Sequence, residues 1–253
     1  MTLTYWAGAV SRIAANVAGD FRRKGSERFA FTQEFLRAGY RFDARPKIPE
    51  RHFLDLYPEA EALSLPIGEL RYTRSNANPL EAFCLGCIAA LRHAKRIFEF
   101  GTFDGGTTLQ LAAACPDAEI LTLDLDPGSV NAAQPATIDS EVENVRGGGV
   151  GRRFSGRPEA EHIRQLIGDS TNFDYTPWRG AIDLAFIDAC HDYAFVKSDT
   201  ANALRMVPRG VIVWHDYQAG WPGVVKAVDE LLPDHHVAHI AGTTLAVLDR
   251  SSA

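Results

Sequence analysis

The segment that decides the fold runs from Ile182 to Tyr217 and reads IDLAFIDACHDYAFVKSDTANALRMVPRGVIVWHDY. Its two short runs, Ile182–Ile187 and Val211–Trp214, are rich in β-branched and aromatic residues, as are strands that are buried on both faces. Between them, mostly apolar side chains recur every three or four positions from Tyr193 to Val207. This spacing predicts a helix, which the following Pro-Arg-Gly triplet ends. A strand, a helix and a second strand predict a βαβ unit with two parallel strands.

Polar residues follow both strands of this unit. Asp188 comes directly after the first strand, and His215 and Asp216 come directly after the second. Because parallel strands end at the same edge of a sheet, where ligands of such sheets bind, we expect these side chains to form part of a site. His191 lies three residues after Asp188 and is a further candidate.

Composition narrows the class of protein. The chain has 253 residues, of which 46% are hydrophobic, and a net charge of −6. This length suits one large domain, and the negative charge argues against a nucleic-acid partner, which would require clustered Lys and Arg. The sequence also lacks an apolar run long enough to span a bilayer and a recognisable signal peptide, so we expect a cytoplasmic protein without a membrane partner.

Regular structure is expected to begin at Asn78-Pro79-Leu80-Glu81, which matches a capping box with proline at the first helical position. We therefore divide the chain into a helical or irregular N-terminal extension or cap, residues 1–77, and a main domain, residues 78–253. Any homo-oligomer is expected to use the extension. The helix after Asn78 carries Cys84 and Cys87 on an apolar stripe with Leu80 and Phe83, so we interpret its CxxC as buried packing and not as a zinc or redox site.

A second pattern lies before the βαβ unit. The strand Arg96–Phe100 runs into the glycine-rich turn Gly101–Thr108, and the strand Glu119–Leu125 carries Asp124 near its end. Dinucleotide-binding and S-adenosylmethionine-binding sheets share this order of strand, turn, helix, strand and acid. The chain has GxxxGG spacing, whereas a nicotinamide-binding turn requires GxGxxG.

Charge provides a second distinction between these ligands. Glu99 and Asp104 would repel a pyrophosphate, but they suit a ligand that carries an ammonium and a sulfonium group. Asp124 lies 23 residues after Gly101 and is placed to bind ribose hydroxyls. Asp169, which follows the short strand Ile163–Ile167, is placed to bind the adenine amino group.

Four segments in this order, EFGTFDGGTT, LTLDLDP, IGDS and FIDACHDY, resemble the signature segments of class I S-adenosylmethionine-dependent methyltransferases. The resemblance covers residues 78–250 and is strongest to small-molecule O-methyltransferases of the catechol and caffeoyl-CoA type. It implies an α/β fold with a doubly wound, mostly parallel seven-stranded sheet whose last strand is antiparallel. It also implies a cofactor site that places Asp124 at the ribose, Asp169 and Ser170 at the adenine, and the following residues at the methionine portion: Glu99, Gly101, Thr102, Gly105, Gly106 and Thr107.

The same resemblance implies a metal site. In metal-dependent relatives, an acid after the fourth strand and an acid-amide pair after the fifth hold a divalent cation that binds the acceptor hydroxyls. Asp188 matches the first acid, and His215-Asp216 occupies the position of the pair. These three residues are therefore the expected ligands. Their carboxylate oxygens favour Mg²⁺, whereas the imidazole also allows Mn²⁺, Fe²⁺ or Zn²⁺.

Other interpretations remain open at this point. Asp188 could contact only the cofactor, with His191 or His215 as a metal-free general base. The leading hypothesis is methyl transfer from S-adenosylmethionine to a hydroxyl of a small molecule: a phenol, a sugar or a natural-product glycoside. The alternatives are a nicotinamide-dependent dehydrogenase and a non-catalytic scaffold that binds S-adenosylmethionine.

Overall fold

A mostly parallel sheet is the centre of the computed structural model, which describes residues 45–68, 77–126 and 149–251. Its strands within these residues are β1 (Glu50–Arg51), β2 (Arg96–Phe100), β3 (Glu119–Asp124), β4 (Ile163–Ile167), β5 (Leu184–Ile187), β6 (Val211–Trp214), β7 (Ala238–Ile240) and β8 (Ala246–Asp249). They lie in the order β1-β7-β8-β6-β5-β2-β3-β4. Strand β8 is antiparallel to β6 and β7, and the other neighbouring pairs are parallel.

The described helices connect these strands. They are α1 (Phe53–Leu56), α2 (Pro79–Leu91), α3 (Gly106–Ala114), α4 (Tyr193–Met206) and α5 (Pro222–Asp229), with 3-10 turns at Pro58–Ala62, Pro158–His162 and Thr176–Trp178. The predicted capping box starts α2, because Asn78 accepts the backbone N–H of Glu81 and Glu81 accepts that of Asn78. The capping signal therefore fixes where the main run of regular structure begins.

Alternating side chains of the strands form two hydrophobic cores, one on each face of the sheet. Phe98 and Phe100 of β2 belong to the core that includes Val196 of α4. Ile97 belongs to the other core, which includes Leu85 of α2. Burial on both faces explains why the strands read as nearly continuous apolar runs.

The two halves of the sheet meet between β2 and β5, which are parallel neighbours. From β2 the chain continues outward through β3 and β4, whereas from β5 it continues through β6 on the other side. This is the switch point at which doubly wound sheets open a crevice beyond the carboxyl ends of their strands. The fold therefore places this crevice beside the glycine-rich turn that follows β2 and beside the polar residues that follow β5 and β6.

The sheet contains the seven expected strands and one further edge strand, β1. Its two residues pair with His239 and Ile240, and the adjoining Ile48 and Tyr57 are buried. A two-residue strand is too short to show an alternating pattern, which is why the sequence did not reveal it. Part of the expected extension thus packs with the main domain, while its residues 1–44 and 69–76 lie outside the described residues.

Helix α2 confirms the interpretation of the CxxC pair in part. Cys84 and Cys87 are buried free cysteines. Leu80 and Phe83, however, are 50% and 38% exposed, so the buried stripe is narrower than the spacing predicted. Among the described residues, no helix is long and apolar enough to cross a bilayer.

Candidate active site

Asp188 and His215 are neighbours because β5 and β6 end in register. Ile187 pairs with Trp214, and the His215 N–H donates to the Ile187 carbonyl oxygen at 3.0 Å. The residues that follow the two strands therefore project from adjacent points of one edge. The Asp188 Oδ1 atom lies 3.0 Å from His215 Nδ1.

Asp216 completes this cluster from a left-handed backbone conformation, with φ of 57°. Such a conformation is uncommon outside glycine, and Asp tolerates it better than most residues. The Asp216 Oδ2 atom lies 2.9 Å from His191 Nε2 and 3.4 Å from His215 Nδ1. Burial alone would raise the pKa of Asp216, but hydrogen bonds from both imidazoles and their charge lower it far below its usual range.

His191 comes to the cluster from the loop between β5 and α4. Its ring stacks on Trp221, with centroids 4.1 Å apart and planes 23° apart, which limits its rotation. Its Nε2 atom lies 4.0 Å from Asp188 Oδ1 in addition to its contact with Asp216. An imidazole held against a carboxylate can accept a proton from a bound hydroxyl, so the geometry preserves His191 as a candidate base.

His215 is surrounded by carboxylates. Although burial alone lowers its pKa, the charge of Asp188 and hydrogen bonds to Asp188, Asp216 and Glu81 raise it well above the usual value for histidine. The imidazole thus bridges groups that would otherwise repel each other. Together with Asp188 and Asp216, it offers ligand atoms that all lie within 4.8 Å of one another, so the predicted metal ligands are brought together.

Glu81 is the site residue that the sequence analysis missed. Its Oε2 atom lies 3.1 Å from His215 Nε2, and its side chain is 3% exposed. The sequence identified this glutamate only as the second half of a capping box. The contact spans 134 positions, and no local spacing signals it.

The glycine turn lies against the same cluster. Gly101 has φ of 93°, and a Cβ atom there would lie 2.1 Å from the Asp188 carbonyl oxygen. Only glycine fits such an approach. Gly105 has φ of 85° and precedes α3, where Gly106 and Thr107 form the first turn.

Asp124 fixes this turn from the end of β3. Its Oδ2 atom accepts the backbone N–H groups of Thr102 and Phe103 at 2.9 and 2.7 Å, and Oδ1 accepts that of Leu125 at 2.7 Å. The carboxylate therefore shapes the turn in addition to its predicted role at the ribose. Burial raises its pKa, against the effect of these three donors.

Glu99 and Asp104 differ from the expectation of two acids facing a cation. Glu99 is buried and accepts the hydroxyls of Thr108 and Thr122 at 2.5 and 2.6 Å, and burial raises its pKa to about 8. Asp104 is buried and pairs with Arg153 at 2.7 Å. Because Arg153 compensates the charge of Asp104, this acid would not repel a pyrophosphate as expected. The distinction from nicotinamide-binding sheets therefore rests on the glycine spacing.

At the other end of the predicted cofactor site, Asp169 follows β4 and forms a local turn. Its Oδ1 atom accepts the backbone N–H and the hydroxyl of Thr171 at 2.9 and 2.7 Å. The carbonyl oxygen of Ser170 accepts the Tyr175 hydroxyl at 2.9 Å. Both residues lie at the same sheet edge as Asp124, and their contact with adenine stays a prediction.

Comparisons with known proteins agree with this geometry. A family model described as a methyltransferase domain matches residues 98–217. The caffeoyl-CoA O-methyltransferase of Populus kitakamiensis is 24% identical over 179 residues, which span 70% of this chain and 65% of that enzyme. The crystal structure of cofactor-bound Rv0187 from MTB covers 79% of this chain and 89% of its own, with a TM-score of 0.52 and 20% identity.

The likeness to Rv0187 supports the fold, and the sequence matches support the family. The matched residues 98–217 include the glycine turn, Asp124 and the cluster at the ends of β5 and β6. Residues 98–217 thus match a methyltransferase domain, and the chain is similar to O-methyltransferases of the caffeoyl-CoA type.

Proposed function

We propose that the protein transfers the methyl group of S-adenosylmethionine to a hydroxyl of a small molecule. The observation that carries this proposal is the contact between the two halves of the site, where the Gly101 turn abuts the backbone of Asp188. A cofactor held by the turn would lie beside the cluster of Asp188, His215 and Asp216. Such adjacency suits a direct displacement, which requires the two reacting groups to be held in line.

The cluster also fits a divalent cation. Asp188, His215 and Asp216 each offer one ligand atom at mutual distances that one ion can bridge, and their oxygen-rich set suits Mg²⁺ or Mn²⁺, with Fe²⁺ and Zn²⁺ allowed by the imidazole. When bound, the cation would supply Lewis-acid chemistry that lowers the pKa of an acceptor hydroxyl. The three side chains would hold that cation at the edge of the sheet, beside the glycine turn.

His191 is proposed to take the proton of the acceptor. Its Nε2 atom lies 2.9 Å from Asp216 Oδ2, so the carboxylate stabilises the protonated imidazole. The stack on Trp221 holds the ring in place and excludes water from one of its faces. This dyad is also the arrangement that would serve a metal-free reaction.

The acceptor is proposed to be a small hydroxylated compound: a phenol, a sugar or a natural-product glycoside. The test is incubation of the purified protein with isotopically labelled S-adenosylmethionine and a panel of adjacent diphenols, monophenols and glycosides. Mass spectrometry should find a methylated acceptor together with S-adenosylhomocysteine. Binding of the cofactor without turnover on the whole panel would instead favour the non-catalytic scaffold, and binding of NAD alone would favour the dehydrogenase.

A further inference from the structure

Glu81 is buried, and three of the four contacts of its carboxylate have a fixed donor. Oε1 accepts the backbone N–H and the hydroxyl of Thr244 at 2.7 and 2.9 Å. Oε2 accepts the backbone N–H of Asn78 at 2.9 Å and lies 3.1 Å from His215 Nε2. The two backbone groups can only donate, so each carboxylate oxygen acts as an acceptor toward one of them, as an ionised carboxylate does.

An ionised carboxylate carries no proton to share, and therefore the imidazole must supply the proton at its Nε2 atom. The anionic form of Glu81 and a proton on His215 Nε2 are thus mutually consistent. The proton is assigned to His215 Nε2 because the backbone donors around Glu81 favour the ionised form of its carboxylate.

We propose that Glu81 is a positioning residue that holds His215 with Nε2–H directed at α2 and Nδ1 directed at Asp188 and Asp216. The Nδ1 atom lies 3.0 Å from Asp188 Oδ1 and 3.4 Å from Asp216 Oδ2. The use of Nδ1 as a metal ligand rests on the proposed function, whereas the orientation of the ring does not. A carboxylate behind a histidine fixes both its tautomer and its ring orientation, and the loss of such a partner typically weakens metal binding 10- to 100-fold.

The position of Glu81 also links three elements. It lies in the first turn of α2, its partner Thr244 precedes β8, and His215 follows β6. The capping box thus serves two purposes, since the residue that starts the helix also orients the site.

The test compares two substitutions of Glu81 in the full chain. Glu81→Met removes the acceptor, and we expect a fall in Mn²⁺ affinity of about 10- to 100-fold by calorimetry, without cofactor or acceptor. Nitrogen-edited NMR of the metal-free protein, assigned with His215→Gln, should show a slowly exchanging Nε2–H that the Met variant loses. Glu81→Gln retains one acceptor oxygen, which can face either His215 or Thr244, and it should restore part of both properties. Asn78→Ala is the matched control, because it removes the cap without touching His215, and it should lower the melting temperature while leaving both readouts unchanged.

Unchanged Mn²⁺ affinity and an unchanged Nε2–H signal in a folded Glu81→Met variant would overturn the proposal. If that variant does not fold, the wild-type spectrum with Mg²⁺ decides: a proton on Nε2 supports the proposal, and a proton on Nδ1 with bare Nε2 overturns it. If the wild-type protein binds no Mn²⁺, the metal part of the proposed function fails. The Nε2–H signal of the metal-free protein still tests the role of Glu81 in that case.

Discussion

Acidic side chains lie at the ends of two neighbouring pairs of strands, and the two groups are stabilised in opposite ways. At β2 and β3, Asp124 accepts three backbone N–H groups and Glu99 accepts two threonine hydroxyls. At β5 and β6, Asp188 and Asp216 face the imidazoles of His191 and His215. The first group is fixed by the backbone and by buried hydroxyls, whereas the second is held by groups that can gain and lose protons.

This difference assigns the two regions different tasks. Backbone donors are part of the fold, so the acids at β2 and β3 maintain the shape of the turn. Imidazoles can exchange a proton or accept a cation, so the acids at β5 and β6 are suited to chemistry. Substitutions in the first region should therefore affect stability and cofactor affinity, and substitutions in the second should affect turnover.

The largest effect is expected from Asp188→Asn, which removes a charge from the β5–β6 cluster while preserving its shape. We expect kcat/KM for methyl transfer to fall about 10³-fold, equivalent to about 4 kcal/mol, because this acid both orients His215 and is a predicted metal ligand. The affinity for S-adenosylhomocysteine should change little. Asp117→Asn, at an exposed position, is the control. A variant with wild-type turnover would remove Asp188 from the mechanism.

The next effect concerns the contact between the two regions. Gly101→Ala should lower the free energy of unfolding by about 3 kcal/mol or more, since its Cβ atom would collide with the Asp188 carbonyl oxygen in a left-handed conformation. Urea denaturation measures this change. Gly149→Ala is a matched control, because Gly149 has φ of 85° and, among the described residues, no heavy atom lies within 4 Å of the added Cβ. It should cost only about 1 kcal/mol, and equal costs for the two variants would contradict the close approach.

A smaller effect is expected from Asp124→Asn in the β2–β3 region. The substitution weakens the charged hydrogen bonds to Thr102 and Phe103, so the Kd for S-adenosylhomocysteine should rise about 10- to 100-fold. Isothermal titration calorimetry measures it, with the exposed Asp234→Asn as control. If saturating cofactor does not restore kcat, Asp124 acts on turnover as well, and the proposed division between the regions fails.

The smallest effect should come from Trp221, which lies behind His191. Trp221→Ala removes the stacking partner and should lower kcat by up to about 10-fold, in line with about 1 kcal/mol for such a ring contact. Trp221→Phe should retain most of the rate because an aromatic face remains. Steady-state kinetics with one acceptor distinguishes the roles, since a change confined to KM would place Trp221 in the acceptor pocket instead.

The sequence predicted the parts of the fold and site that depend on local pattern. The apolar runs and the helical spacing between Ile182 and Tyr217 correspond to β5, α4 and β6. Because parallel strands end at one edge of a sheet, the sequence also predicted that Asp188, His215 and Asp216 lie together. Both predictions depend only on periodicity and on strand direction. These two features can be inferred from short, continuous segments of the sequence.

Contacts between distant segments could not be predicted in this way. The Asp104–Arg153 pair joins residues 49 positions apart, and its arginine lies in a glycine-rich segment without periodicity. Glu81 reaches His215 only because α2 packs beside the sheet edge. The orientation of Glu99 toward two threonines likewise depends on which face of β2 it occupies. Each of these required the tertiary structure, because the partner is chosen by packing and not by spacing.

Metal dependence is the most direct test of the proposed role of the β5–β6 cluster. Methyl transfer should be measured with one accepted hydroxylated substrate before EDTA treatment, after treatment and desalting, and after addition of Mg²⁺ or Mn²⁺. We predict that activity is lost without metal and restored by the ion, while the melting temperature of the treated protein shows that it remains folded. Full activity of the metal-free protein would contradict metal assistance and leave the His191–Asp216 dyad as the base.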